Sequence, residues 1–179
     1  MRILVHICCA PCFTYPHKQL LKQGHEITGF FYNPNIHPYT EYMKRKKSLE
    51  KFVEMNRVKV LYINKYELED FLRKALEAED RCRFCYTYRL AETAKTSSLL
   101  GFDAFTTTLL LSPYQKHEML AKVGETVAER YGVEFYYEDF RKGYKQSREL
   151  AKNCELYMQK YCGCIFSEKQ RYYKKKFHM

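Results

Sequence analysis

Five short apolar runs, separated by stretches with helical spacing, constrain this 179-residue chain more than any other feature. The runs at residues 2–7, 25–33, 58–63, 104–111 and 133–137 are rich in β-branched and aromatic residues, as strands are. Between them the apolar positions recur every three or four residues. Residues 13–23 read as a helix closed by Gly24. A second helix spans 40–56, with Tyr42, Leu49, Phe52 and Val53 on one face. A third spans 66–79, with Leu68, Phe71, Leu72, Ala75 and Leu76 inward. A fourth carries Cys82, Cys85, Tyr86, Arg89 and Leu90 and ends at Gly101. Ser112-Pro113 opens a fifth, with Leu120, Val123, Val127 and Tyr131 inward and Gly132 at its end. The remainder is helical, broken at Tyr161-Cys162-Gly163-Cys164.

Nearly continuous apolar strands are covered on both faces, which implies a parallel sheet between helical layers. The expectation is a three-layer, Rossmann-like (HUP-like) α/β fold with C-terminal helices, its five parallel strands in the order 3-2-1-4-5. Ligands of such sheets bind beyond the carboxyl ends of the strands, where the order reverses. Cys8 and Cys9 end strand one, Thr106 to Ser112 end strand four, and Asp139 follows strand five. Three segments therefore meet at one crevice.

The length suits one domain over residues 1–179, its helical part from about 145 to 179 packed on the sheet. No apolar run approaches the roughly 20 residues of a membrane helix. The apolar start is too short for a signal peptide, so a cytoplasmic location is expected. Lys and Arg number 31 against 21 Asp and Glu, a net charge of +10. That excess favours an anionic partner, nucleic acid first.

Eight cysteines fall in three groups and one singleton: Cys8, Cys9 and Cys12; Cys82 and Cys85; Cys162 and Cys164; and Cys154. A chain of this size folds without disulfide staples, and in a reducing compartment clustered thiols are metal ligands or redox catalysts. Pro11 suits the first position of a helix, which puts Cys12 in the first turn, where the dipole favours a thiolate. Extended backbone would point the adjacent Cys8 and Cys9 apart, toward two neighbouring centres rather than one ion. Cys82 and Cys85 lie one turn apart on one helical face. They suit a redox pair, half of a zinc site or two ligands of an iron–sulfur cluster. Gly163 lets both sulfurs of Cys162 and Cys164 face one side, with a disulfide as the competing arrangement. Cys154 reads as a core thiol beside Leu150, Tyr157 and Met158. Zinc or a four-iron cluster needs four thiolates, so the remaining seven leave a surplus for a second metal or a dithiol. Asp139 or Asp80 offers oxygen to a harder metal. His6, His17, His37 and His117 lack a paired metal-binding spacing and read as structural or surface residues.

Taken in order, five motifs resemble the QueH-type epoxyqueuosine reductases. They are His6-Ile7-Cys8-Cys9-Ala10-Pro11-Cys12, Arg81-Cys82-Arg83-Phe84-Cys85-Tyr86 with Arg89-Leu90, Thr107-Thr108-Leu109 with Ser112-Pro113-Tyr114, Asp139-Phe140-Arg141, and Tyr161-Cys162-Gly163-Cys164. The likeness spans nearly the whole chain; Cys154 has no place in it. It implies cobalamin-independent reduction of epoxyqueuosine to queuosine in the tRNA anticodon loop, the last step of queuosine biosynthesis. It implies a 4Fe-4S cluster and an adjacent iron ion held by cysteines and an aspartate. An external low-potential electron donor such as ferredoxin or flavodoxin would serve it. The thiolate roles carry over to Cys8, Cys9, Cys82, Cys85, Cys162 and Cys164, with Cys12 a further candidate and Asp139 the aspartate; of these, Cys8, Cys9, Cys82 and Cys85 are expected to bind the cluster. Converting an epoxide to an alkene and water takes two electrons and two protons. An open-coordinate metal would stabilise the developing alkoxide, and Tyr114, Tyr86 or His6 could supply a proton.

Basic runs for tRNA lie at Lys44-Arg45-Lys46-Lys47, on an exposed helix face, and at Arg141-Lys142 with Lys145 and Arg148. Another at Arg171 and Lys174-Lys175-Lys176 interleaves Tyr172, Tyr173 and Phe177, which suits phosphate contact and base stacking. The alternative for that tail is a helix docking its aromatics on the core. Three other functions compete. An ATP-dependent tRNA-modifying enzyme would need a Gly/Ser-rich phosphate loop where Cys-Cys-Ala-Pro-Cys stands. A zinc-stabilised RNA-binding module would be colourless, and a thiol–disulfide oxidoreductase would work without metal.

Overall fold

The computed structural model describes residues 1–173. Its five strands are β1 (Arg2–His6), β2 (Glu26–Phe31), β3 (Val60–Tyr62), β4 (Ala104–Thr107) and β5 (Glu134–Phe135). All pair in parallel, in the order β3-β2-β1-β4-β5, as the apolar runs require. The helices are α1 (Ala10–Lys22), α2 (Tyr39–Asn56), α3 (Leu68–Glu77), α4 (Arg81–Leu99), α5 (His117–Tyr131), α6 (Tyr144–Asn153) and α7 (Ile165–Tyr172). Helix α1 packs against α2 and α6, and α4 packs against α5. Central β1 is buried beyond Arg2, with Ile3, Leu4, Val5 and His6, and Ile7 just after the strand, inaccessible to solvent. No helix among the described residues is long and apolar enough to cross a membrane.

Strand four is shorter than its sequence suggests. Thr108–Leu111 is a 3-10 turn, because the Thr107 hydroxyl accepts the Leu109 N–H and draws the chain out of the ladder. Its leucines are still buried, and a short buried apolar run looks alike in either conformation. Ser112-Pro113 does not open α5; residues 112–116 form a separate turn and the helix begins at His117. Leu76, expected inward, is exposed. The C-terminal part holds less helix than expected. After α6 the chain runs irregularly from Cys154 to Cys164, so Tyr157 and Met158 do not extend its apolar face. Cys154 lines a separate cavity of about 300 Å³ with Leu150, His17 and Phe52.

The basic run in α2 is split by helical periodicity. Lys44 and Lys47 are exposed, but Arg45 is turned inward and only 1% accessible, so the run is not one solvated face. Tyr172 and Tyr173 are exposed rather than docked on the core; Lys174–Lys176 and Phe177 lie outside the described residues.

Candidate metal centre

The end of β1 assembles the first group of sulfurs. The chain leaves the ladder after His6, bends at Cys8 and reaches Cys9, whose extended backbone caps α1. Ala10 and Pro11 start that helix, since a proline in the first turn forfeits no helical N–H bond. From α6, the Ser147 hydroxyl donates to the Pro11 carbonyl, and Thr14 donates to it over 3.0 Å. The bend overturns the expectation that Cys8 and Cys9 diverge: their Sγ atoms are 3.7 Å apart. With Cys12 they form a buried trio whose sulfurs all lie within 4.8 Å of one another. The 3-10 turn supplies Thr108, whose hydroxyl accepts the Cys8 N–H (3.1 Å) and donates to Cys8 Sγ (3.4 Å). Gln159, from the irregular segment, donates Nε2–H to Cys12 Sγ at 3.4 Å. Its Oε1 is buried without a partner among the described residues.

Such crowding sorts the three thiols by charge. Hydrogen bonds from Cys12 and Cys9, then from Thr108, hold the Cys8 thiol well below its ordinary range. As a donor to Cys8 and neighbour of Cys9, Cys12 is pushed well up, while burial raises Cys9. Three sulfurs thus face one site, and a cation that displaced their protons would find three thiolates around it.

A second group meets across one cavity of about 110 Å³. Cys82, Cys85, Cys162 and Cys164 line it together with Asn35, Tyr86, Arg89 and Leu109. Asp80 caps α4 by accepting the N–H groups of Cys82 (2.8 Å) and Arg83 (3.0 Å), which fixes the turn carrying Cys82 and Cys85. Those bonds, the Arg83 N–H first, and the Lys116 ammonium hold the Asp80 carboxyl at about 2. Asp80 is therefore engaged as a helix cap and by Lys116. Cys162 and Cys164 arrive on a turn at Gly163, whose φ of +113° favours glycine. All eight cysteines are free thiols, so the Cys162–Cys164 disulfide is not formed. Among the described residues, no three of this second group converge within 4.8 Å.

Two buried arginines organise these groups. Arg45 donates Nε–H to Glu41 (2.7 Å), Nη2–H to the Tyr161 carbonyl (2.9 Å) and Nη1–H to the Cys162 carbonyl (3.1 Å). It thereby ties the C-terminal cysteine turn to α2. Arg89 is 3% accessible, donates Nε–H to the Cys85 carbonyl (3.2 Å) and stands 6.0 Å from the Tyr86 ring. Burial works against its charge, while Cys85, Cys8, Tyr86 and Cys162 favour it and leave its pKa raised.

The remaining candidates are placed differently. Asp139 caps the turn at Phe140–Gly143 and is gripped by Arg141 through contacts of 2.5–3.0 Å. Arg141 holds its carboxyl at about 2, and His117 lies 3.7 Å away. Among the described residues it is not part of the compact group formed by the three sulfurs, and its oxygens are engaged by Arg141. His6 is inaccessible and lies between Thr107 (2.9 Å to Nδ1) and the Tyr32 carbonyl (3.1 Å to Nε2). A carbonyl only accepts, so Nε2 carries the proton and Nδ1 accepts from Thr107. Burial, then the Arg89 charge, lowers its pKa to about 3 and keeps it neutral. Tyr86 donates to Gln115 Oε1 (2.8 Å) and accepts the Lys116 N–H (3.2 Å); burial raises its pKa to about 12. Tyr114 is 82% exposed, its ring edge-on to Tyr144 at 6.0 Å. The Arg148 guanidinium covers Tyr144 at 5.9 Å, and the Cys12 thiol is among the groups that raise the Tyr144 hydroxyl after burial. Gln159 and Asn35 escaped the sequence reading, and Thr108 entered it only as a motif residue without a role. Their residue types carry no metal signal, and only the folded chain brings them to the sulfurs.

The sequence model of a family described as "Epoxyqueuosine reductase QueH" matches residues 3–170. Three curated proteins called epoxyqueuosine reductase QueH are similar to the chain. That of Dehalococcoides mccartyi is 35% identical over 172 residues, 96% of this chain and 94% of the relative. That of Thermotoga maritima is 34% identical over 180 residues, 94% and 91% of the two. That of Streptococcus pyogenes serotype M1 is 38% identical over 183 residues, 94% and 71%. Among solved structures, the zinc-inhibited form of teicoplanin deacetylase Orf2 overlaps 74% of this chain and 65% of that one, with a TM-score of 0.44 and 10% identity.

Proposed function

The chain belongs to the QueH family of epoxyqueuosine reductases, and on that premise we propose that it reduces epoxyqueuosine to queuosine in the anticodon loop of tRNA, without cobalamin. The observation that carries the proposal is the sorting of seven thiols into a compact trio and a wider quartet. Tetrahedral thiolates at about 2.3 Å from one ion stand about 3.8 Å apart, close to the Cys8–Cys9 separation of 3.7 Å. A four-iron core interposes iron and sulfide between its ligands, so its four thiolates stand farther apart around a cavity, as the quartet does.

We assign Cys82, Cys85, Cys162 and Cys164 to the 4Fe-4S cluster and Cys8, Cys9 and Cys12 to the adjacent iron ion. Asp139 is left out of this ligand set. When bound, the cluster supplies electrons singly and the ion acts as a Lewis acid toward the epoxide oxygen. Cys8, Cys9 and Cys12 are buried, and two polar side chains donate to their sulfurs. Thr108 stabilises charge on Cys8, and Gln159 does so for Cys12. The buried Gln159 Oε1 is free to accept from a hydroxyl or water beside the trio. A low-potential donor such as ferredoxin or flavodoxin supplies the electrons, in the cytoplasm.

The test is anaerobic reconstitution. Protein loaded with iron and sulfide should be brown and convert epoxyqueuosine tRNA to queuosine tRNA under a low-potential reductant. Zinc-loaded protein should be colourless and inactive. Equal turnover by zinc-loaded or metal-free protein would sink the proposal and favour a thiol oxidoreductase.

Tyr114 fits a stacking role better than proton donation. Its ring is open to solvent, next to Tyr144 and Arg148, a combination suited to an unstacked loop base. Tyr114→Ala should weaken binding of an anticodon stem–loop roughly 5- to 100-fold, the range of one lost stacking contact. Tyr114→Phe should bind like the wild type and turn over at a similar rate. If Phe binds normally but abolishes turnover, the hydroxyl is the proton donor after all.

A further inference from the structure

Arg89 combines two properties that seldom coexist: it is 3% accessible, and among the described residues no carboxylate forms an ion pair with it. A buried unpaired guanidinium is costly, and buried charges persist where a counter-charge is present. Its surroundings offer no acid. It lines the same cavity as Cys82, Cys85, Cys162 and Cys164, and its own hydrogen bond goes to the Cys85 carbonyl at 3.2 Å. Nε–H is thereby spent, and the four Nη–H donors have no hydrogen-bond acceptor among the described residues. Its field reaches Cys85 and Cys162 of the quartet and also Cys8 of the trio. By contrast, Arg45 is matched by Glu41 and two carbonyls and needs no further partner.

We infer that Arg89 is a positioning residue whose charge is the shared counter-cation of both sulfur groups, raising the reduction potential of the cluster held by the quartet. Four thiolates around a four-iron core leave the assembly anionic in either oxidation state, and reduction adds one more negative charge. A fixed cation at the cavity wall favours the reduced form and offers its free N–H donors to the sulfurs. The inference rests on the cluster assignment proposed above, but the two can fail separately.

The test is a redox titration, followed by electron paramagnetic resonance, of anaerobically reconstituted wild type, Arg89→Gln and Arg89→Lys. Gln keeps a donor for the Cys85 carbonyl but no charge; Lys keeps the charge but not the fork. Arg89→Gln should make the cluster at least tenfold harder to reduce, a shift of 59 mV for one electron, while Arg89→Lys stays much nearer the wild type. A wild-type potential in Arg89→Gln, with iron and sulfide content intact, overturns the inference and leaves the cluster assignment standing. If Arg89→Gln fails to hold a cluster and Arg89→Lys holds one at the wild-type potential, the requirement for charge is upheld. If both fail alike, Arg89 has a packing role only and the inference falls. A wild-type protein that takes up no cluster overturns both proposals.

Discussion

Alanine at Cys82, Cys85, Cys162 or Cys164 is expected to strip about four irons and the accompanying sulfide from each chain, whereas alanine at Cys8, Cys9 or Cys12 should remove about one iron and no sulfide. The division follows from geometry. The trio is too compact to surround a four-iron core, with sulfurs within 4.8 Å of one another. The quartet is drawn from the start of α4 and the Gly163 turn, and its members face each other across a cavity. Turnover should fall at least a hundredfold in both classes, so activity alone does not separate them. Iron and sulfide counts do, together with the visible spectrum: the quartet variants lose the brown colour, and the trio variants keep it. Cys154→Ala serves as the internal control, since Cys154 lines another cavity and should leave metal content and turnover unchanged. Loss of the full cluster on replacing Cys12 alone would refute the assignment of two centres.

The fold was largely legible because a parallel sheet buried on both faces writes itself as apolar runs. Strand order and the position of the cysteines at the crevice emerged from those runs and from the right-handed crossover habit of such sheets. What was not legible depended on single dihedral choices. A bend at Cys8 brought together two side chains that an extended strand would separate. A threonine hydroxyl turned the end of β4 into a 3-10 turn and so delivered Thr108 to the sulfur trio. The charged residues misled most. Arg45 sits in a run of four bases and reads as surface, and Arg89 reads as an ordinary motif residue, yet both are buried beside thiols. A sequence shows a basic residue's position on a helix but not what lies opposite, and here the opposing groups come from more than 100 residues away in the case of Arg45.

Arg45→Met is expected to cost about 3–5 kcal/mol, the usual penalty for leaving one partner of a buried ion pair alone. Glu41 is the residue left behind: it is buried, and its other oxygen is held by the Tyr157 hydroxyl at 2.6 Å. For a domain with roughly 5–15 kcal/mol of total stability the loss is large, and urea denaturation of the metal-free protein would measure it. Metal content should fall as well, for a different reason. Without Arg45 the carbonyls of Tyr161 and Cys162 lose their donors, and the turn at Gly163 is released from α2. The Gly163 carbonyl still accepts the His37 N–H at 2.9 Å, so the segment stays near its site but is less well fixed. The pair Glu41→Gln with Arg45→Met separates the two effects. Removing both charges should restore more than half of the lost stability, because no unpaired ion remains buried. It should not restore iron binding by the quartet, because neither new side chain reaches the two carbonyls. Recovery of both stability and cluster content in the double variant would mean that Arg45 serves only to neutralise Glu41, and that the cysteine turn finds its place unaided.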